Sequence, residues 1–211
     1  MKSENVSDLQ IHDSLRPYQF SPTNSQSEKI RAYISLLLRW NQRISLTTVV
    51  DPTEILQFHF GESLFAASLA AIRDGRLADV GSGAGFPGLA LALVAPELAV
   101  SVIESNSKKA AFLAEVVRML DLRHVEIINK RMEEAPPALG QLDFITARAL
   151  GAHKTLMKWA RRRLAANGRL VLWLGEEDSK KIASDRTWTW RSPMLIPGSK
   201  RRFILVGCPN R

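Results

Sequence analysis

Asp79-Val80-Gly81-Ser82-Gly83-Ala84-Gly85-Phe86-Pro87-Gly88 is the stretch on which the fold turns. Four of the chain's twelve glycines fall in it, between the short, mostly apolar segment Leu77-Ala-Asp-Val80 and the longer apolar run Leu89–Ala95. Glycine lets a backbone turn tightly and come close to a ligand. A glycine-rich turn between a strand and a helix marks the ligand-facing turn of an open α/β sheet. The pattern therefore predicts a strand over 77–80 and a helix from Pro87 to Val94.

Reading outward, the chain alternates. Leu98–Ile103, Val125–Ile128, Leu142–Thr146, Leu170–Leu174 and Phe203–Val206 read as further strands. Between them, Ser107 is expected to cap a helix carrying Ala111, Phe112, Val116 and Leu120. A second helix is expected from about Ala152 to Ala166, stopped by Asn167-Gly168. Upstream the pattern is helical. Ser25-Gln-Ser-Glu28 reads as a capping box opening a helix to about Trp40. Asp51-Pro52-Thr53-Glu54 opens another that runs to about Ala71. The expected architecture is α/β: a Rossmann-like, mostly parallel sheet over 76–211 with helices on both faces, preceded by a helical N-terminal extension over 1–75.

Composition sets the boundaries. The chain has 211 residues, 45% hydrophobic and 24% charged, which is ordinary globular usage. The single cysteine, Cys208, excludes a disulfide framework and a cysteine-based zinc site, and no metal is expected. The longest unbroken apolar run, Leu89–Ala95, is far short of the ~20 residues a membrane span needs. The N-terminal residues are polar and charged, with no signal-peptide pattern. A cytoplasmic monomer is expected.

Two nucleotide cofactors fit the glycine turn. Gly83-Ala-Gly85-Phe-Pro-Gly88 is a literal G-x-G-x-x-G, and Glu104 at the end of the next strand is placed to accept hydrogen bonds from a ribose diol, as in nicotinamide-dependent enzymes. The same residues fit the Asp-x-Gly-x-Gly-x-Gly turn of S-adenosylmethionine (SAM) methyltransferases. Asp79, two residues before Gly81, is then placed to meet a cationic amino group rather than a pyrophosphate. Both tyrosines, Tyr18 and Tyr33, lie upstream of the fold. A downstream Tyr-x-x-x-Lys of the hydride-transfer type is therefore excluded, which favours SAM.

The chain resembles the RsmG (GidB) family, bacterial methyltransferases of guanine N7 in 16S ribosomal RNA, over roughly residues 25–206. The matching residues are Trp40-Asn41, Leu46-Thr47, His59 with Glu62-Ser63, and the glycine turn with its Phe-Pro-Gly ending. Further on they are Glu104-Ser105, Lys108-Lys109, Phe112-Leu113, Arg131-Met-Glu-Glu134 and Thr146-Ala-Arg148-Ala149. The resemblance implies SAM as cofactor, with Gly81, Ser82, Gly83, Gly85 and Phe86 lining its pocket. It places the ribose at Glu104 beside Ser105, the adenine at Met132 and Glu133, and Arg148 beside the methyl group and target base. The chain departs from the family pattern at Ser45, where Asn is common, at Glu62, often Asp, and at Leu174-Gly175, often Lys-Gly.

Residue chemistry narrows the reaction. A C5-pyrimidine adduct needs a cysteine nucleophile, and Cys208 lies beyond the last strand. After the fourth strand stands Ile145-Thr-Ala-Arg-Ala149, not the Asp/Asn-Pro-Pro-aromatic motif of exocyclic-amine methylation. Guanine N7 carries a lone pair and no proton, so positioning alone suffices. Arg148, His59 and Glu62 are the candidate catalytic residues, with Thr47 and Asn41 as site-lining residues. Arg148 is expected to donate to guanine O6 or the cofactor carboxylate, or else to pair with Asp79 or Asp143.

The charge is uneven. The net is +8, but residues 150–211 alone hold fourteen basic and four acidic side chains, while 61–149 hold nine and eleven. That one-sided excess predicts a polyanion-facing surface. Lys154, Lys158, Arg161, Arg162, Lys200 and Arg201 are the candidate RNA contacts, the partner being 16S rRNA or the small ribosomal subunit rather than DNA. Trp188 and Trp190 either stack on a base or pack a loop over the sheet. A non-catalytic RNA-binding protein on the same fold stays open at this level.

Overall fold

Leu77–Val80 pairs as expected, in the middle of an eight-stranded sheet. The computed structural model describes residues 6–210; residues 1–5, part of the polar start read above, lie outside them. The strands are β1 (Gly75–Val80), β2 (Leu98–Ile103), β3 (Val125–Ile128), β4 (Leu142–Arg148), β5 (Leu164–Gly175), β6 (Trp188–Trp190), β7 (Met194–Leu195) and β8 (Arg202–Pro209). Their order is β3-β2-β1-β4-β5-β8-β6, with β7 also on β8. β1 to β5 run parallel to one another, and β8 runs antiparallel between β5 and β6.

Alternation along the strands separates two cores. Leu77, Phe144, Val171 and Trp173 face one, shared with α2 (Asn24–Asn41), α4 (Glu62–Ala70), α5 (Gly88–Val94) and α6 (Ser107–Met119). Ala78, Val80, Ile145, Ala147, Leu172 and Leu174 face the other, under α7 (His153–Arg163) and α8 (Glu176–Ala183). The helical extension thus belongs to the first face: Tyr33, Leu37, Ile55 and Phe60 are buried in the same cluster as Leu77 and Leu89. The same parity puts Asp79, Thr146 and Arg148 on that face.

Several boundaries differ from the sequence reading. A short helix, α1 (Asp8–Leu15), precedes the expected ones, capped by Ser7. The capping box of α2 is Thr23 with Gln26, two residues before the Ser25/Glu28 pair. Asn106, not Ser107, caps α6, its carboxamide oxygen accepting from Lys108 and Lys109 N–H. The Asp51-capped helix begins as α3 (Pro52–Ile55), widens into a π-helical turn over Leu56–Gly61 and continues as α4 to Ala70. α7 ends at Arg163, and Leu164 already pairs with Leu142. Asn167-Gly168 is therefore not a helix stop. It lies in an irregularity of the β4–β5 ladder, where a Cβ on Gly168 would come within 2.7 Å of the Leu142 carbonyl oxygen. Among the described residues no helix is long and apolar enough to cross a membrane.

Candidate functional site

The chain leaves β1 toward β2 and β3 on one side and returns to β4 on the other, so the carboxyl ends of β1 and β4 flank the point where strand order reverses. Ligands of such sheets bind there. Val80 stands beside Ala147, which puts Gly81 next to Arg148. The glycine turn follows, with φ of +70° at Gly81, +56° at Gly83 and +86° at Gly85.

Asp79 holds the turn from beneath. It is fully buried. One carboxylate oxygen accepts from the Ser82 hydroxyl and from Gly88 N–H at 3.0 Å, the other from the Thr146 hydroxyl at 2.7 Å. Burial pushes its carboxyl above the usual range, and these three donors pull it back. Its oxygens are committed to the loop, so the expected contact with a cofactor amino group is corrected: Asp79 shapes the turn and does not line the cavity. Gly88 permits this, because a Cβ there would lie 2.7 Å from that of Asp79.

Above the turn is a cavity of about 260 Å³. Gly81, Ser82, Gly83 and Ala84 supply one part of its lining, Arg148 and Ala149 the end of β4, and Lys109 a contribution from α6. Leu46, Thr47 and His59 bring in the helical extension, and Phe86 lies between the two, stacked on His59 with ring centroids 4.9 Å apart. Arg148 Nη2 donates to His59 Nδ1 at 2.9 Å, and Nη1 donates to the Phe58 carbonyl at 2.7 Å. His59 Nε2 lies 2.9 Å from the Thr47 hydroxyl. Burial, and then the Arg148 guanidinium, push the His59 pKa down to about 3, so the ring is neutral at physiological pH.

Glu62 lies behind this layer. It is 2% exposed, 3.9 Å from Arg148 Nη1 and 2.9 Å from Arg202 Nη2. Burial raises its carboxyl, while the two guanidiniums act against the shift. Arg148 thus pairs with Glu62, not with Asp79 or Asp143. Glu62, a candidate catalytic residue on sequence, does not line the cavity; it is the buried counter-ion of Arg148 and Arg202.

The other sequence candidates divide in the same way. Gly81, Ser82, Gly83, Phe86, His59, Thr47 and Arg148 meet at the cavity. Gly85 does not line it, because its α-carbon is turned toward the Tyr33 ring, and a Cβ there would overlap the Tyr33 hydroxyl. Glu104 accepts from Gly83 N–H at 2.9 Å and Asn106 N–H at 2.8 Å, so it fastens the turn to the end of β2. Ser105 and Glu133 are exposed and do not line the cavity, while the Met132 side chain is in the second core. Asn41 clamps the Leu46–Thr47 loop by three hydrogen bonds of 2.8–3.0 Å. Trp188 and Trp190 stack on each other at 5.2 Å, and Trp190 lies over Gly207, which is the packing reading rather than a platform for a base.

Two contributors were missed. Tyr33 donates to the Ala84 carbonyl at 2.7 Å and stacks on Phe86 at 5.1 Å, supporting the turn from the extension. A tyrosine inside a buried helical stripe must find a partner for its hydroxyl, and that requirement was the available signal. Arg202, which is not among the candidates read from sequence, completes the Glu62 ion cluster and stacks over Phe58 at 4.7 Å.

Comparison with known proteins settles the family. Residues 26–192 match the family described as GidB, rRNA small subunit methyltransferase G. The chain is 36% identical over 192 residues to the ribosomal RNA small subunit methyltransferase G of Roseiflexus sp. (strain RS-1), covering 86% of this chain and 82% of that one. It is 40% identical over 180 residues to the protein of the same name from Xylella fastidiosa (strain 9a5c), covering 83% and 84%. The chain belongs to this family. A SAM-dependent methyltransferase from Aquifex aeolicus shares the fold at a TM-score of 0.59 and 17% identity, covering 74% of this chain and 93% of that one.

Membership in the small-subunit methyltransferase G family makes SAM the cofactor and small-subunit rRNA the substrate, and it removes the nicotinamide reading. The residues fit SAM. Gly83 presents open backbone, since a Cβ on it would find no heavy atom nearer than 3.9 Å, and Glu104 stands at the end of β2 where a ribose would meet it. The family departure at Leu174 falls away from the cavity. Its side chain is buried in the second core, on the opposite face of the sheet from Arg148.

Proposed function

We propose that this chain transfers a methyl group from SAM to N7 of a guanine in 16S rRNA, as a cytoplasmic monomer. One observation carries the choice of atom: no polar side chain lining the cavity, among the described residues, is free to take a proton. His59 Nδ1 is occupied by Arg148, and its Nε2 bears the ring proton facing Thr47. Glu62 and Asp79 are buried behind the wall and engaged there. Lys109 offers only donors, and Ser82 and Thr47 offer hydroxyls rather than bases. When bound, the cofactor supplies an electrophilic methyl on a sulfonium. A guanine N7 would accept it through its lone pair, with no proton for the site to remove. The site has only to hold donor and acceptor in line. Arg148 and the backbone of the glycine turn do the holding.

In this reading Glu104, Ser105, Met132 and Glu133 carry the nucleoside part of SAM. RNA docks at the carboxyl-end edge of the sheet, where the exposed side chains of Lys154, Lys158, Lys200 and Arg201 lie. The test is to incubate the protein with labelled SAM and unmodified small-subunit RNA or subunits, then cleave the RNA at N7-methylguanine. One labelled guanine with scission there is expected. Label on an exocyclic amine or ribose would overturn the choice of atom. Gly81→Arg, which fills the cavity, serves as the blocked control.

A further inference from the structure

Thr47 is held more tightly than a loop residue needs to be. Asn41 Oδ1 accepts from the Leu46 and Thr47 N–H groups, and Asn41 Nδ2 donates to the Thr47 carbonyl. The hydroxyl is fixed as firmly as the backbone. A guanidinium can only donate, so His59 Nδ1, facing Arg148 Nη2 at 2.9 Å, carries a lone pair. In a neutral imidazole the proton is then on Nε2. That N–H points at Thr47 Oγ1 over 2.9 Å, so the hydroxyl oxygen accepts it. Val49 N–H donates to the same oxygen at 3.1 Å. A hydroxyl has two lone pairs and one proton, and both lone pairs are now used. No acceptor takes the remaining proton among the described residues, and Thr47 lines the cavity.

We infer that Thr47 reads the six-position of the target purine: Arg148 and His59 leave its hydroxyl able only to donate, so it selects a base with an acceptor beside N7. Guanine presents N7 and O6, both acceptors, whereas adenine presents N7 and an amino donor. A bond to O6 leaves the N7 lone pair free for the methyl group. Against an adenine amino group the same hydroxyl meets a second donor and goes unpaired. Thr47 is a specificity residue in this assignment, and His59 and Asn41 position it. The assignment rests on the guanine-N7 reading above and adds the group that distinguishes the purine.

The experiment uses RNA substrates with a single replaced target base, and wild-type, Thr47→Val and Thr47→Ser proteins. Guanine and inosine keep O6; 2-aminopurine and 2,6-diaminopurine keep N7 but lack O6. Wild type is expected to prefer the O6 bases in kcat/KM by roughly tenfold to a hundredfold, the range of one good base-edge contact. Thr47→Val is expected to bring that ratio close to one by losing activity on guanine, with SAM affinity by calorimetry little changed and Tm lowered, because His59 Nε2–H and Val49 N–H lose their acceptor. Thr47→Ser, which keeps the proton, is expected to restore the preference. A Thr47→Val protein that keeps the wild-type preference overturns the assignment. So does one whose SAM affinity falls while the preference stays, because the hydroxyl then faces the cofactor. Scission mapping of the wild-type product separates the two levels: no cleavage at the target overturns the N7 reading and this one with it, whereas cleavage with an intact preference in Thr47→Val overturns only this one.

Discussion

Gly83 and Gly85 sit two positions apart and answer to different constraints. Both have positive φ, +56° and +86°. A Cβ on Gly83 meets open space, the nearest atom lying 3.9 Å away, whereas one on Gly85 would be driven into Tyr33, with Leu89 2.9 Å away. An alanine in left-handed backbone costs about 1 kcal/mol by itself, and more where the core must also shift. Gly83→Ala is therefore expected to fold with Tm close to wild type and to lose SAM affinity. Gly85→Ala is expected to lower Tm clearly, by about 2–3 kcal/mol of stability. Thermal melts and calorimetry on the pair check this, and equal Tm values would contradict it. His59 gives a second prediction at this scale. Its folded value is about 3, against 6.5 for a free imidazole. Between those limits the unfolded chain binds the extra proton, so this residue's contribution to stability is lost as pH falls below 6.5. From pH 6.5 to pH 5 the loss is about 1.6 kcal/mol. The raised carboxyls of Glu62 and Asp79 act in the opposite sense, so the comparison is with His59→Gln. Denaturation midpoints of the variant are expected to fall less steeply over that interval. Methyl transfer itself is expected to show no inflection near pH 6.5.

At the scale of elements, α7 has two ends with different surroundings. It starts beyond Arg148, at the carboxyl edge of the sheet, and runs back to enter β5 at Leu164. Its 11 residues span about 16 Å. Lys154 is therefore at the site end. Arg161 and Arg162 are at the far end, where Arg161 donates to the Thr187 carbonyl and the neighbouring Arg163 donates to those of Ala135 and Pro136. Lys200 and Arg201 precede β8, whose Arg202 pairs with Gly175 at the end of β5, again the site end. Replacing Lys200 and Arg201 by alanine is expected to weaken RNA binding about tenfold at moderate salt, two phosphate contacts' worth. Replacing Arg161 and Arg162 is expected to matter much less. Equal losses in a filter-binding titration would remove the distinction. Sequence could not separate these groups, because charge counts along a chain carry no direction across a sheet. What sequence did carry was periodicity: β2 and β3 fall on their expected residues, and the glycine turn lies where its strand ends. What it lost were alternatives of equal local merit. Thr23/Gln26 and Ser25/Glu28 are both capping boxes, and Asn167-Gly168 serves a helix end as well as a strand irregularity. Only the pairing of Leu164 with Leu142 decides the latter. α1, with Ile11, Ser14 and Leu15 as its buried residues, offered too short a stripe to read.

For the whole molecule, the proposed cofactor turn and the proposed polyanion surface are expected to be electrostatically separate, and this makes the charge distribution testable. Of the residues after 149, the four acids are Glu176, Glu177, Asp178 and Asp185, all on α8 or just beyond it. Lys180 is already paired with Glu176 at 2.7 Å. Arg161, Arg163, Arg169 and Arg191 donate to backbone carbonyls, so the +10 of this segment overstates what RNA meets. If Lys154, Lys158, Lys200 and Arg201 each neutralise one phosphate, about four counterions are released and log K falls against log salt with a slope of about −3 to −4. SAM is proposed to be held differently, by the backbone of the glycine turn, by Glu104 behind it and by the enclosed Arg148, whose charge is balanced by buried Glu62. Such contacts are screened little by salt. Raising salt is thus expected to weaken RNA binding steeply while leaving SAM affinity within about twofold. Calorimetry with SAM and fluorescence anisotropy with the RNA fragment, over one salt series, give both slopes. An RNA slope near zero would remove the basic edge as the docking surface, and a SAM slope matching the RNA slope would mean that the two sites share one field.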